Sequence, residues 1–242
     1  MTISLFTGNF RYNTPFYFHT KGLTMKHELM NNDAFLQAMQ SRFACKIFDK
    51  TKKIPNDEFQ AILESGRLAP SSFGLEPTRM ILVESNEMRE RVKEACWGQN
   101  QIVDASCVII YTSLKADMLP HTNYIINKFS RRLKTQEEIK HYANERYGQR
   151  KLETLGYTAD IEKLGLWSAH QAYIMATTMM NHAAFLGIDS CTIEGFDKKA
   201  LESVLEMDSF KEQVSLLLCL GYRNMPQSKR LRMSLDEIVR SI

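Results

Sequence analysis

Ala69-Pro-Ser-Ser-Phe-Gly-Leu-Glu-Pro77 runs without a break into Thr78-Arg-Met-Ile-Leu-Val-Glu84. The first nine residues are turn chemistry: prolines that fix φ, a glycine that admits positive φ, and hydroxyls that bond nearby backbone. The apolar run that follows, Arg79–Glu84, reads as a buried strand. Upstream, Asn56 and Asp57 can cap a helix whose inner face is Phe59, Ile62 and Leu63 and which ends near Gly66–Pro70. Helix, polar loop and buried strand form the unit around which the rest is arranged. The hydroxyls and amides of the loop, with Gly74, make a hydrogen-bonding cradle for a polar, planar ligand. By composition alone it is simply a loop.

Working outward, a helix passes through Met88 and Val92, and Cys107–Thr112 is a second strand. Leu164–Leu186 is a long helix, apolar nearly all round (Leu166, Trp167, Tyr173, Ile174, Met175, Met179, Met180, Phe185), suited to a core or a subunit interface. Asp189–Ile193 and Val214–Leu220 are further strands. The order follows no strict βαβ repeat, so the expected class is α+β, one domain over residues 25–242. Met25 opens a helix-like stretch carrying Leu29, Phe35, Leu36 and Met39. Residues 1–24 hold six aromatics without a period, either an arm that packs on a partner or an extension outside the domain. Residues 120–155 are polar with helical tendency. Between Lys128 and Lys151 eight cations stand against three carboxylates, either a solvated face or a mobile positive flap that attracts an anionic substrate.

Composition narrows the function classes. The 242 residues carry 31 Lys+Arg and 28 Asp+Glu, a net charge of +3, too small to make nucleic acid the default partner. Five cysteines without a CxxC pair argue against a disulfide scaffold or zinc knuckle and fit a reducing cytoplasm. The apolar runs are strand-sized, too short to cross a bilayer, and the N-terminus lacks a signal-peptide pattern, so no membrane is expected. No GxG, GxxxxGK[ST], HExxH or GxSxG occurs. His170 and His182 on the long helix read as satisfied core or interface histidines, and no metal is expected.

Four short stretches could carry chemistry. Ser41-Arg-Phe-Ala-Cys-Lys-Ile-Phe-Asp49 sets Arg42 and Lys46 four apart, suited to a phosphate or, equally, to a helix C-terminus. The loop above is the second. In Ser190-Cys-Thr-Ile-Glu-Gly-Phe-Asp197, Gly195 permits close approach to a flat ligand, while the plain reading is a strand-to-helix turn capped by Asp197. Ser228-Lys-Arg-Leu-Arg232 is a solvated tail or, with Arg42 and Lys46, part of a phosphate clasp. Cys45, between those cations, is either a low-pKa thiol or a packed one.

Taken in order, Ser41–Asp49, Arg67–Pro77, Trp97-Gly-Gln-Asn-Gln-Ile-Val-Asp-Ala-Ser106, Leu186–Ser190, Ile193–Asp197 and the basic cluster before Leu235–Val239 resemble the nitroreductase family of FMN-dependent NAD(P)H oxidoreductases. The resemblance spans residues 36–238. It implies a three-layer α+β sandwich with a central, mostly antiparallel sheet, an intertwined homodimer, and FMN bound non-covalently at the subunit interface. Carried over, Arg42, Phe43, Ala44 and Lys46 hold the flavin phosphate and ring edge. Pro70, Ser71, Ser72 and Gly74 contact the flavin from the second subunit. Asn100 and Gln101 supply polar contacts, with a register open by a residue or more. Thr192, Ile193, Glu194 and Gly195 lie along the isoalloxazine, and Arg230 and Arg232, or Lys229 in a shifted register, bind the phosphate.

The same resemblance implies a ping-pong cycle in which NADH or NADPH passes hydride to flavin N5 and a nitroaromatic, quinone or flavin acceptor takes the electrons, with no catalytic side chain. Residues 120–155 match a variable helical insert over the pocket. Three departures stand out: Thr78 where a bulky residue is common, Glu76 for a frequent Gln, and Thr192 for a frequent Pro. Competing readings are an FMN-binding dehydrogenase or flavin-destroying enzyme, a flavin-binding regulatory protein, and a helical interaction module using the Met-rich 173–180 face.

Overall fold

The computed structural model describes residues 32–157 and 160–242. The aromatic extension, and the Met25 start of the first helix, lie outside the described residues. Four strands, β1 (Thr78–Leu82), β2 (Cys107–Leu114), β3 (Asp189–Ile193) and β4 (Glu212–Gly221), form one fully antiparallel sheet in the order β1-β2-β4-β3. The two central strands are buried along almost their whole length. Burial on both faces demands helices on both sides. Val108, Ile110, Leu217 and Cys219 face α3 (Asn86–Ala95), α4 (Gln101–Asp104) and α8 (Lys198–Val204). Ile109, Tyr111, Leu216, Leu218 and Leu220 face α2 (Asn56–Arg67) and α7 (Ile161–Phe185). The result is the three-layer α+β sandwich expected.

Local chemistry adjusts the expected boundaries. Pro55, not Asn56 or Asp57, stands at the N-cap of α2, and Asp57 and Glu58 lie in its first turn, where carboxylates suit the helix dipole. One close helix approach follows from glycine: a Cβ on Gly66 would lie 2.5 Å from Met179 Sδ, so α2 seats against α7 at this distance because Gly66 has none. The β2–β4 register shifts between Tyr111 and Thr112, leaving Ser215 as an extra residue whose hydroxyl is 2.6 Å from that of Ser113. This bulge returns Val214 to the α3/α8 side.

Residues 120–155 are more than a solvated face. Helices α5 (Asn123–Ser130) and α6 (Gln136–His141) and a π-helical segment, Tyr142–Glu153, enclose a core of their own: Ile125, Phe129, Ile139, Tyr147 and Leu152 against Leu75, Leu164 and Trp167. One stripe of α7 (Leu166, Tyr173, Ile174, Phe185) stays open in the single chain. So does the end of the chain, where Leu231, Met233 and the short helix α9 (Leu235–Ile238) are exposed. The first helix, α1 (Asn32–Ser41), lies on α7.

Arg89 was not singled out by its sequence context, yet it ties α3 to the sheet. Its buried guanidinium donates to the carbonyls of Val83 (3.0 Å), Ala105 (2.6 Å) and Ser106 (2.9 Å). Arg89→Met keeps the volume and strands three carbonyls. We expect it to destabilise the fold by about 3 kcal/mol, read as a lower denaturant midpoint with an unchanged slope.

Candidate active site

The stretch after α1 lies beside the free edge of β3. Cys45 N–H donates to Ser190 O (3.0 Å), and Ala44 forms a parallel bridge with Ser190. Running parallel to β3, the segment turns Cys45 and Phe48 into the core and leaves Ala44 and Lys46 exposed. Lys46 Nζ is 3.5 Å from Cys191 Sγ, so this cation belongs to the middle of the β3 edge. Phe43 is half-buried beneath Arg223, whose guanidinium carbon is 4.8 Å from the ring centre and which pairs with Asp189 at 2.8 Å. Arg223 donates as well to Ser41 O (3.5 Å), fixing the chain where it leaves α1. It went unnoticed in the sequence because nothing in its own neighbourhood points to Asp189.

At the α1 end of this edge three cations gather. Arg230 Nε donates to Gln40 O (3.3 Å), which accepts a second bond from Gln227 (2.9 Å), so the tail is pinned to the end of α1. Burial and the fields of Arg230 and Arg232 hold the Arg42 guanidinium below its ordinary pKa. One terminal nitrogen of Arg230 is buried with no hydrogen-bond partner among the described residues. Among the described residues none of the three arginines forms an ion pair. Cations crowded without a carboxylate, one with an orphan donor, are the electrostatic complement of a polyanion. Lys229 is exposed, and it is Arg230 that reaches back to Gln40.

The far end of the edge is the Thr192–Gly195 turn. Ile193 points into the core, leaving its backbone to the outside, while Thr192 is half-buried and Glu194 exposed. Gly195 is forced by its neighbours, since a Cβ there would lie 2.9 Å from the exposed Trp97 ring. Gln99 donates to Gly195 O (2.8 Å), whereas Asn100 is exposed at the N-cap of α4 and Gln101 is buried. The side chain reaching the turn is thus one register step from the two singled out in the sequence, and Trp97 joins it. Asp197 caps α8 by accepting from Ala200 N–H (3.0 Å), as the plain reading of that stretch expects. Burial, then the neighbouring Glu194 carboxylate, push the Tyr173 phenol up.

The Pro70–Gly74 loop is elsewhere. It feeds β1, the opposite edge of the sheet, with β2 and β4 between; three strand spacings are about 14 Å. Ser72 N–H donates to Gln171 Oε1 (2.9 Å) and Glu76 N–H to Ser71 Oγ (2.9 Å). Within one chain Arg42, Ala44, Lys46 and Thr192–Gly195 line one edge, Arg230 and Arg232 close its end, and Pro70, Ser71, Ser72 and Gly74 lie apart from them.

His170 and His182 do not join in. His170 is exposed, and Nδ1 of His182 is buried without a partner, so neither is a satisfied core histidine. No cluster of His, Cys, Asp and Glu able to hold a metal occurs among the described residues, and no helix there is long and apolar enough to cross a membrane. Burial pushes the Cys45 thiol up to about 11, which favours the packed reading over the low-pKa one. At pH 8 about one Cys45 in a thousand is then thiolate, and we expect iodoacetamide to label it at least about a hundredfold more slowly in native than in denatured protein.

The sequence profile of the nitroreductase family matches residues 39–222. A Staphylococcus epidermidis protein provisionally named NAD(P)H nitroreductase is 34% identical over 213 residues, covering 86% of this chain and 96% of its own. A nitroreductase-like protein from Streptococcus mutans superposes with a TM-score of 0.72 at 22% identity, over 87% of this chain and 98% of that one. A provisionally named nitroreductase of Exiguobacterium sibiricum, solved in complex with FMN, gives 0.65 at 20% identity, over 86% and 97%. The two structures share the fold, and the profile and the S. epidermidis relative extend the likeness to sequence: the chain belongs to the nitroreductase family.

Proposed function

We propose that this protein is an FMN-dependent oxidoreductase that uses NADH or NADPH to reduce a small-molecule acceptor: a nitroaromatic, a quinone or a flavin. The observation that carries the reading is the carboxylate-free cluster of Arg42, Arg230 and Arg232, with the orphan nitrogen of Arg230, at one end of the β3 edge. Its charge suits the phosphate of FMN. Lys46 and the Thr192–Gly195 backbone, farther along the same edge, suit the polar rim of a flat ring. Bound FMN supplies a centre that accepts hydride from the reduced nicotinamide and returns two electrons to an acceptor that takes the coenzyme's place.

The chain's own residues bind and orient. Arg42, Arg230 and Arg232 neutralise the phosphate, and Lys46 supplies positive charge near the ring edge, where negative charge is stabilised on reduction. Gly195, kept bare by Trp97, lets backbone approach the ring. No side-chain nucleophile or metal is needed. Pro70, Ser71, Ser72 and Gly74 belong to the opposite sheet edge, so their contribution comes from a second copy. The open apolar stripe of α7 and the exposed tail supply surface for such a homodimer. The exposed Lys134, Lys140 and Arg146, without ion pairs among the described residues, bias coenzyme and acceptor choice.

The purified protein is expected to be yellow, to bleach anaerobically with NADH or NADPH and to recover its colour with a quinone or nitroaromatic. A colourless protein that cannot be reconstituted with FMN overturns the reading, and a yellow one that will not bleach overturns the activity. Arg42→Ala and Arg230→Ala should each weaken FMN binding about 10- to 100-fold, the range for one charge-assisted phosphate contact. Light scattering should return a dimer mass. Neutralising Lys134, Lys140 and Arg146 together should raise at least one coenzyme Michaelis constant; no change in either removes the insert from coenzyme selection.

A further inference from the structure

The loop before β1 is held in an improbable shape. Phe73 (φ 57°), Gly74 (φ 61°) and Glu76 (φ 51°) all take positive φ, and two of the three carry a Cβ that disfavours it. Such backbone persists only when its surroundings over-determine it. Here they do. Arg132 donates to Phe73 O (2.5 Å), Arg131 to Gly74 O (2.8 Å), and the Tyr124 hydroxyl lies 2.8 Å from Leu75 O and 2.7 Å from Glu76 O. Every carbonyl from residue 73 to residue 76 thus meets a side chain of α5 or of the two residues after it.

The Glu76 carboxylate closes the arrangement. One oxygen meets Lys128 Nζ at 2.5 Å and the other Arg131 at 3.0 Å. Burial alone would raise its pKa, but these two cations outweigh it and hold the group below the usual carboxylate range. At the start of the loop, Glu76 N–H occupies a lone pair of Ser71 Oγ, and Gln171 takes the Ser72 N–H. With its oxygen already accepting, the Ser71 hydroxyl is left to donate outward.

We propose that Glu76 is a positioning residue for the flavin, acting through Ser71: gripped by Lys128 and Arg131, it holds the loop so that the Ser71 O–H donates to an acceptor atom of the ring. The inference rests on the FMN reading above. A glutamate here is matched to two cations of the 120–155 segment, and a neutral residue would leave Arg131 with carbonyls only and Lys128 with the Tyr124 ring.

The test uses full-length protein stripped of flavin and titrated with FMN, following flavin fluorescence and the visible absorption band of the bound form. Glu76→Gln keeps the size and removes the charge; Ser71→Ala removes the donor. Each is expected to weaken FMN binding about tenfold and to move the bound flavin band the same way, with the double variant no worse than either single one. Lys128→Met, which frees Glu76 from the other side, should reproduce the Glu76→Gln shift. Melting temperatures report the fold separately, and the band position is read on the folded, flavin-bound fraction. Unchanged affinity and band in Glu76→Gln, or additive effects in the double variant, overturn the proposal while leaving the FMN reading intact. Wild-type protein that binds no FMN overturns that reading first.

Discussion

β2 and β4 are apolar on both faces, and everything else is arranged around covering them. Each large aliphatic side chain kept from water there contributes about 1.5–3 kcal/mol, so neither face can be left open. Two helical layers follow, with α7 the only described helix long enough to run the full depth of the sheet and on into the separate core of residues 120–155. Covered faces cannot receive a ligand. What remains accessible is the sheet edges and the strand ends, which is where the cations and the glycine turn are found.

That constraint explains what could be read from the sequence. Period and run length located all four strands and the long helix to within a few residues, because burial on both faces writes a continuous apolar signal in β2 and β4; β1, expected as a buried strand over Arg79–Glu84, is instead a half-buried edge over Thr78–Leu82 with Arg79 and Leu82 exposed. The expected Val214–Leu220 strand is longer by two residues at its start, since Gln213 and Glu212 pair with Lys198 and Thr112 and carry no apolar mark. Edge chemistry was legible as composition: Arg42, Lys46, Gly195 and the C-terminal arginines could be picked out, and a shared phosphate clasp was one of two open readings of the tail, but not which cation sits where along the edge. That Lys46 lies beside Cys191 while Arg42 sits with Arg230 and Arg232 depends on a parallel bridge between segments about 150 residues apart, which no local pattern encodes.

Other features were hidden for a related reason. Arg89 and Lys115 are charged residues used as buried braces and Arg223 is a half-buried one, and their partners are carbonyls or distant carboxylates. A charged residue in an amphipathic helix or after a strand ordinarily signals solvent. Gln99 and Trp97 were missed because the turn after α3 runs through two positive-φ residues, Trp97 and Gly98, which rotate the expected register by one position.

The way the β1 loop is held bears on how this chain could diversify. Its carbonyls meet side chains of α5 and the residues that follow, and its carboxylate is matched to two of those residues' charges, so the loop and the segment around α5 form one inheritable block. A segment transplanted from a relative without its matching residue at position 76 would arrive with the wrong complement of charges and leave the turn unsupported. Exchange of the two together would pass as a single neutral step. Variation is therefore expected to move in linked pairs between the segments around residues 73–76 and 124–132, although some fifty residues of chain separate them.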